Sequence, residues 1–220
     1  MAAKLAFYDL DGTLVSSNVV SQYLWFARNH PQAHAGWRYA RALVRAPQWL
    51  VLEKHSRRRF NEVFFREYAG LRLEWMSANA PRMHDAVLRP ATFPGARELV
   101  ERDRRDGFRT ILLTGSLDFA IQPLIEQFGF GEAVTNRLRF SAGVATGDLI
   151  EPIIAGPEKV AAIRSLCAHH CVDSAVCRAY SDSMSDVPML EAVGEPIATN
   201  PTRKLRELAQ ARNWTVVDLK

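Results

Sequence analysis

Lys4-Leu-Ala-Phe-Tyr-Asp-Leu-Asp-Gly-Thr-Leu14 is a short apolar run that ends in two aspartates one residue apart and stops at Gly12. Phe7 and Tyr8 favour β structure, and the run has the length of a strand. Continued as a strand, it would turn Asp9 and Asp11 to one face, because side chains alternate with a period of two. Two like charges that close are tolerated where a divalent cation lies between them or where one carboxyl stays protonated. A solvated Asp-x-Asp-Gly turn is the plain alternative at this point, since Asp and Gly dominate turns.

Downstream of residue 92 the chain alternates between helical and strand periods. A helix from 93, with Pro94 near its start, ends at Gly107, and 108–113 is a buried strand. Thr114-Gly115-Ser116 follows, then a helix over 117–128 that Pro123 threatens to interrupt. A hydroxyl, a glycine and free N–H groups at a helix N-terminus make an anion cradle; a simple helix cap explains the same residues. A short strand at 133–135 and a hairpin of 137–140 with 144–150 come next. A helix over 158–170 carries Lys159 in its first turn, where a cation opposes the helix dipole unless an anion is near. The strand at 175–180 ends in Ser181-Asp-Ser-Met-Ser-Asp186, a second pair of aspartates, and a last strand at 196–199 precedes a helix to Ala211. Such alternation predicts an α/β fold, a doubly wound parallel sheet, which binds ligands beyond the carboxyl ends of its strands. Asp9, Asp11, Thr114, Asp182 and Asp186 all fall there.

Residues 16–90 break the pattern. They hold 12 Lys/Arg against 5 acids, a local +7 in a chain of +4, together with four of the five tryptophans. Their period is helical: 19–29, ended by Asn29-His30-Pro31; 37–44; 59–68, followed by Gly70; and a last helix from Pro81 to about Leu88. Arg57-Arg58-Arg59 offers contacts for nucleic acid or an anionic membrane, but no nucleic-acid motif accompanies it. We expect a solvated helix face, which also attracts anionic substrates.

At 220 residues and 48% hydrophobic composition the chain can bury a core, and it lacks an apolar run of membrane-spanning length. The first strand begins so early that no signal peptide is expected, and three unevenly spaced cysteines suit a reducing, cytoplasmic setting rather than a disulfide framework. Cys167, His169, His170, Cys171 and Cys177 suggest zinc, with Cys167 and Cys171 one helical turn apart. Their spacing is no standard zinc pattern, so packing is the expected role.

The order Asp9-x-Asp11-Gly12-Thr13, strand-Thr114-Gly115, Lys159, Asp182-x-x-x-Asp186 resembles the haloacid dehalogenase (HAD) superfamily of phosphohydrolases, in its phosphoserine-phosphatase-like branch, subfamily IB. The resemblance covers nearly the whole chain. It implies a Rossmann-like catalytic core, 1–15 and 91–220, with 16–90 inserted as an α-helical cap. It implies Asp9 as nucleophile, Asp11 as general acid/base, and Thr114, Gly115 and Lys159 as phosphate-binding groups. Mg²⁺ would take Asp9, Asp11 through its carbonyl, and Asp182, with Asp186 orienting Lys159 or a metal-bound water. The implied substrate is a small phosphomonoester: phosphoserine, histidinol phosphate or a similar phospho-alcohol. Asn18 stands where phosphoserine phosphatases place a glutamate that reads the serine ammonium; Ser185 and Ser181 replace a frequent asparagine and glycine. The acid at position 11 separates the chain from the dehalogenases and ion-pumping ATPases of the superfamily. A phosphomutase of the same fold is the first alternative, and a non-catalytic module binding nucleic acid or membrane through the basic segment the second. No nucleic-acid partner is expected.

Overall fold

The computed structural model describes residues 4–31 and 35–219. Positions 1–3 and 220 of the expected core and 32–34 of the basic segment lie outside the described residues.

The first strand, β1 (Lys4–Tyr8), is fully buried after Lys4. Leu5 and Phe7 enter one apolar cluster and Ala6 and Tyr8 the other, so the strand is covered on both faces, as a central parallel strand must be. The helices α1 (Val19–Asn29), α2 (Ala35–His55), α3 (Arg57–Phe64), α4 (Leu73–Met83) and α5 (Arg89–Ala91) follow. Then come α6 (Ala96–Arg105), β2 (Phe108–Leu117), α7 (Asp118–Phe128), β3 (Glu132–Ser141), β4 (Val144–Ile150) and α8 (Pro157–His169). The chain ends with β5 (Arg178–Ser181), α9 (Val187–Glu191), β6 (Glu195–Thr199), α10 (Arg203–Ala211) and β7 (Thr215–Val217).

The seven strands pair in the order β4-β3-β2-β1-β5-β6-β7, all parallel except β3 with β4. Helices α8, α9 and α10 bury Ile163, Met189, Leu190 and Leu205 against one face. Helices α6 and α7 cover the other, joined in a single cluster with Tyr23, Phe26, Phe64 and Tyr68 from the helical segment. The doubly wound sheet is therefore present. After β1 the chain builds toward β2, and it crosses to the far side of β1 only with β5, so the topological switch lies between β1 and β5.

The helical segment leaves and rejoins the sheet side by side: Ser16 N–H donates to the Ala91 carbonyl (2.8 Å) and Phe93 N–H to that of Leu14 (3.0 Å). It is stitched to the hairpin as well, through Gly70 N–H to Ala145 (2.9 Å), Ala145 N–H to Leu71 (2.8 Å) and Leu73 N–H to Gly143 (2.9 Å). These bonds satisfy the outer edge of β4.

Several local expectations are corrected. The helix expected over 37–44 is the far longer α2, with Pro47 inside it. The helix expected over 59–68 starts at Arg57, where Ser56 Oγ caps Arg59 N–H (3.3 Å), and tightens into a 3₁₀ turn over Phe65–Tyr68. Pro81 does not open a helix: α4 begins at Leu73 and passes through it, and the register relaxes in a π turn over His84–Leu88. A proline removes one donor, and a wider turn absorbs the mismatch. Helix α7 is continuous despite Pro123. The strand expected at 175–180 starts only at Arg178, because the Asp173 carboxylate accepts from Ala175 N–H (2.9 Å) and holds Ser174–Val176 as a 3₁₀ turn. Cys171 lies beyond the end of α8, at φ 54°, and is exposed, whereas Cys167 and Cys177 are buried with their Sγ atoms 3.9 Å apart in the apolar cluster. The one-turn zinc geometry is absent, and packing accounts for the two buried thiols.

Candidate active site

At the carboxyl end of β1, Asp9 N–H donates to the Tyr180 carbonyl (3.0 Å), which fixes the aspartate at the mouth of the switch point. Its carboxylate is buried and accepts from Lys159 Nζ at 2.6 Å; the same ammonium reaches Asp186 Oδ2 at 2.7 Å. Lys159 is 4% exposed, so the lysine in the first turn of α8 is a buried link between two carboxylates contributed by β1 and by the loop after β5. Ser181 Oγ donates to the same oxygen of Asp186 (2.8 Å). Thr13 ties the other side: its hydroxyl lies 3.3 Å from Asp9 Oδ2 and 3.4 Å from Asp182 Oδ1, and it accepts from Asp182 N–H at 3.1 Å. Asn200 Nδ2 in turn holds the Thr13 carbonyl (3.0 Å).

Gly12 is required for this convergence. Its φ of +85° suits glycine, and a Cβ there would lie 2.3 Å from Asp182 Oδ2. Asp9, Asp11, Gly12, Ser16, Ser17, Asn18, Glu53, Arg57, Asp182, Ser183 and Asp186 enclose a cavity of about 270 Å³. Two buried atoms of its wall, Asp11 Oδ1 and Ser17 Oγ, have no hydrogen-bond partner. Buried polar atoms are usually satisfied, and these two face the same cavity.

Electrostatics point the same way. Burial, then the Asp9 charge, pushes the Asp11 carboxyl up to about 7, with Arg57 opposing. Burial, then Asp9 and Asp186, brings Asp182 to about 7. Asp9 is also raised by burial, with the Lys159 ammonium pulling it down. Burial works against charge on Lys159, but Asp186 and Asp9 outweigh it and hold the ammonium above its ordinary range. The site thus concentrates more negative charge than its resident cations balance. No group of three or more His, Cys, Asp or Glu side chains among the described residues is arranged to hold a metal ion. The expected Mg²⁺ set needs only two carboxylates, Asp9 and Asp182, with a main-chain carbonyl from residue 11. The charge excess fits such an ion, and the unpartnered Asp11 Oδ1 is left free to face a substrate oxygen.

Of the expected residues, Asp9, Asp11, Asp182 and Asp186 share this cavity, and Lys159 touches two of them. Thr114 and Gly115 do not line it. Strand β2 continues to Leu117 with a shift in register, so the expected cradle at a helix N-terminus is instead extended chain. Thr114 Oγ1 accepts from Ser116 N–H (3.1 Å), and Asn136 Nδ2 holds the Gly115 carbonyl (2.8 Å).

The arginine run is not a uniform solvated face either. Arg57 lines the cavity and bonds to Glu53, which lines it too. Arg58 bridges to Glu151 and, at 2.8 Å, to Glu158 beside Lys159. Nothing in the linear sequence separates Arg57 from its neighbours.

The sequence matches the haloacid dehalogenase-like hydrolase family over residues 6–191. The chain belongs to that family. It is a hydrolase of the phosphatase kind, and its sheet and flanking helices are the fold of that family. Over 97% of this chain it is 33% identical to an "inhibition of morphological differentiation protein" of Streptomyces azureus, covering 77% of that protein. It is 29% identical to a phosphoserine phosphatase of Mycobacterium tuberculosis, with 98% of this chain and 70% of that one aligned. It is 24% identical to a histidinol-phosphatase of Neisseria meningitidis serogroup C over 98% and 99% of the two chains. Among solved structures, a protein of unknown function from Bordetella pertussis Tohama I superposes with a TM-score of 0.87 at 27% identity, over the whole of both chains. A phosphoserine phosphatase in its apo form superposes at 0.73 with 17% identity, over 99% of this chain and 94% of that one, a likeness of fold. No helix among the described residues is long and apolar enough to cross a membrane.

Proposed function

We propose that the protein is a Mg²⁺-dependent phosphomonoesterase that works through an aspartyl-phosphate at Asp9, with 16–90 acting as a cap over a core of 1–15 and 91–220. The observation that carries this reading is Lys159, buried and bridging Asp9 and Asp186 beside an Asp11 whose Oδ1 has no partner. Asp9, Asp182 and the carbonyl of Asp11 would hold Mg²⁺, which offsets charge on the phosphoryl group when bound.

Asp9 attacks phosphorus as the bond to the ester oxygen breaks; that oxygen takes the electron pair and the proton of Asp11, and the alcohol leaves. Water then attacks phosphorus and gives its proton to the Asp11 carboxylate. The bond from phosphorus to Asp9 breaks, restoring the carboxylate and releasing inorganic phosphate. Lys159 stabilises charge on both Asp9 and the phosphoryl oxygens, and Asp186 and Ser181 keep it aimed.

The alcohol portion meets Ser16, Ser17, Asn18, Glu53 and Arg57, a polar wall with one charge of each sign. The cavity size and this wall suit a small, polar phospho-alcohol such as phosphoserine or histidinol phosphate. The three free cysteines fit a reducing, cytoplasmic setting.

Phosphate release from a panel of small phosphomonoesters, with Mg²⁺ and with EDTA, tests the reading. Metal-dependent release is expected from the wild type and none from Asp9→Asn. Release that ignores EDTA, or survives that substitution, overturns it.

A further inference from the structure

Trp37, Leu43, Val44 and Val51 are four of the six large hydrophobic side chains exposed among the described residues, and all four lie on α2. Trp37 and Val44 are 68% and 80% exposed. At about 100° per residue, Trp37, Val44 and Val51 fall on one line along the helix, and exposed Ala40, Pro47 and Leu43 widen it into a continuous face. The opposite side of α2 is also apolar, with Ala42 and Trp49 buried in the core. A helix apolar on two opposite sides is ordinarily covered on both; here one side is bare.

Charge says what covers it. Helix α2 carries four Lys/Arg against one acid. On the flank of the bare face, Arg41 and Arg45 pair with the same buried carboxylate, Glu67, at 2.6 and 2.5 Å, and still keep 40% and 35% of their side chains exposed. Two cations thus share one anion at the rim of an apolar stripe, inside a segment of net +7.

We propose that the outer face of α2 docks on an anionic lipid surface, with Trp37, Val44 and Val51 entering the interfacial layer and Arg41 and Arg45 meeting phosphate headgroups. A lipid interface supplies both the apolar layer and the negative charge that this face combines. A second copy of the chain would bring two segments of +7 together and oppose itself. Nucleic acid would satisfy the arginines and leave the stripe in water. Glu53, in the last turn of the same helix, stands on the wall of the catalytic cavity, so docking sets the lipid surface against the helix that bounds the active site.

The test is co-sedimentation of the whole protein with phosphatidylcholine vesicles, either pure or containing about a third phosphatidylglycerol. Binding is expected only to the anionic vesicles and should be lost at about 0.5 M salt. The Trp37→Ser/Val44→Ser/Val51→Ser variant should lose at least about tenfold in partitioning, while Val176→Ser, at another exposed apolar site, should not. All four positions are exposed, so circular dichroism should match the wild type. The proposal is overturned if the protein ignores anionic vesicles, or if the triple variant binds them as well as wild type. It is equally overturned if light scattering shows a dimer that the triple variant dissolves, because the face is then a self-association surface.

Discussion

Strands β1 and β5 carry two carboxylate centres, one packed beneath them against α6 and one beyond their carboxyl ends, and the two obey opposite rules. Beneath the strands, Asp103 is fully buried, and every need is met: the Tyr8 and Tyr180 hydroxyls donate to Oδ2, the latter at 2.5 Å, and Arg178 donates to Oδ1 at 2.7 Å. The two tyrosine rings stack 4.5 Å apart, and burial with the nearby Asp103 charge keeps both phenols protonated as donors. Beyond the strand ends, four aspartates crowd one cavity, two of them with pKa raised to about 7, and Asp11 Oδ1 lacks any partner. A satisfied buried carboxylate is a fastener; an unsatisfied group of them is chemistry in waiting.

That contrast can be broken by exchanging the two kinds of loss. Asp9→Asn should lower turnover by at least about a thousandfold with the thermal midpoint nearly kept, as phosphate release and circular dichroism would record. Gly12→Ala should come next, at about a hundredfold in activity with weaker Mg²⁺ binding, since its methyl collides with Asp182 at a strained φ. Asp103→Asn should do the reverse: denaturant unfolding should show a loss of about 3 kcal/mol, because Arg178 and two phenols lose a buried anion, while kcat per folded molecule stays constant. Loss of turnover in Asp103→Asn with stability intact would erase the distinction.

The smallest effect concerns pH. A carboxyl whose pKa is raised by folding binds its proton more tightly when folded, so its contribution favours folding at low pH and is lost as pH climbs through the folded value. With Asp11 and Asp182 both at about 7, the thermal midpoint in EDTA should fall between about pH 5 and about pH 8. Added Mg²⁺ should raise it more at the upper end, where both carboxylates are free to accept a cation.

What the sequence disclosed was local. The Asp9-x-Asp11-Gly12 turn, the alternation of strand and helix periods, and the second aspartate pair each sit within a few residues, and together they give the sheet and most of the cavity. Lys159 is legible once an anion is expected near the start of its helix. Arg57 is not: it is one of three arginines at the start of α3, and it faces the cavity in a helix whose Phe60 and Phe64 are buried in the core. The extended path from Thr114 to Leu117 is held by Asn136, 21 positions away, and no window of local sequence contains both. The outer face of α2 is not legible in the sequence, because an apolar helix face reads the same whether it is covered or bare.

The most direct test of the central claim is to trap the phosphoryl-enzyme. Wild type mixed with excess of its best phosphomonoester and Mg²⁺ is quenched in acid within a turnover, digested, and read by mass spectrometry. A phosphoryl group on the peptide carrying Asp9, absent in Asp9→Asn and discharged by hydroxylamine, is the predicted result. Steady phosphate release with no phosphorylated peptide, or with the group on another residue, would contradict the account.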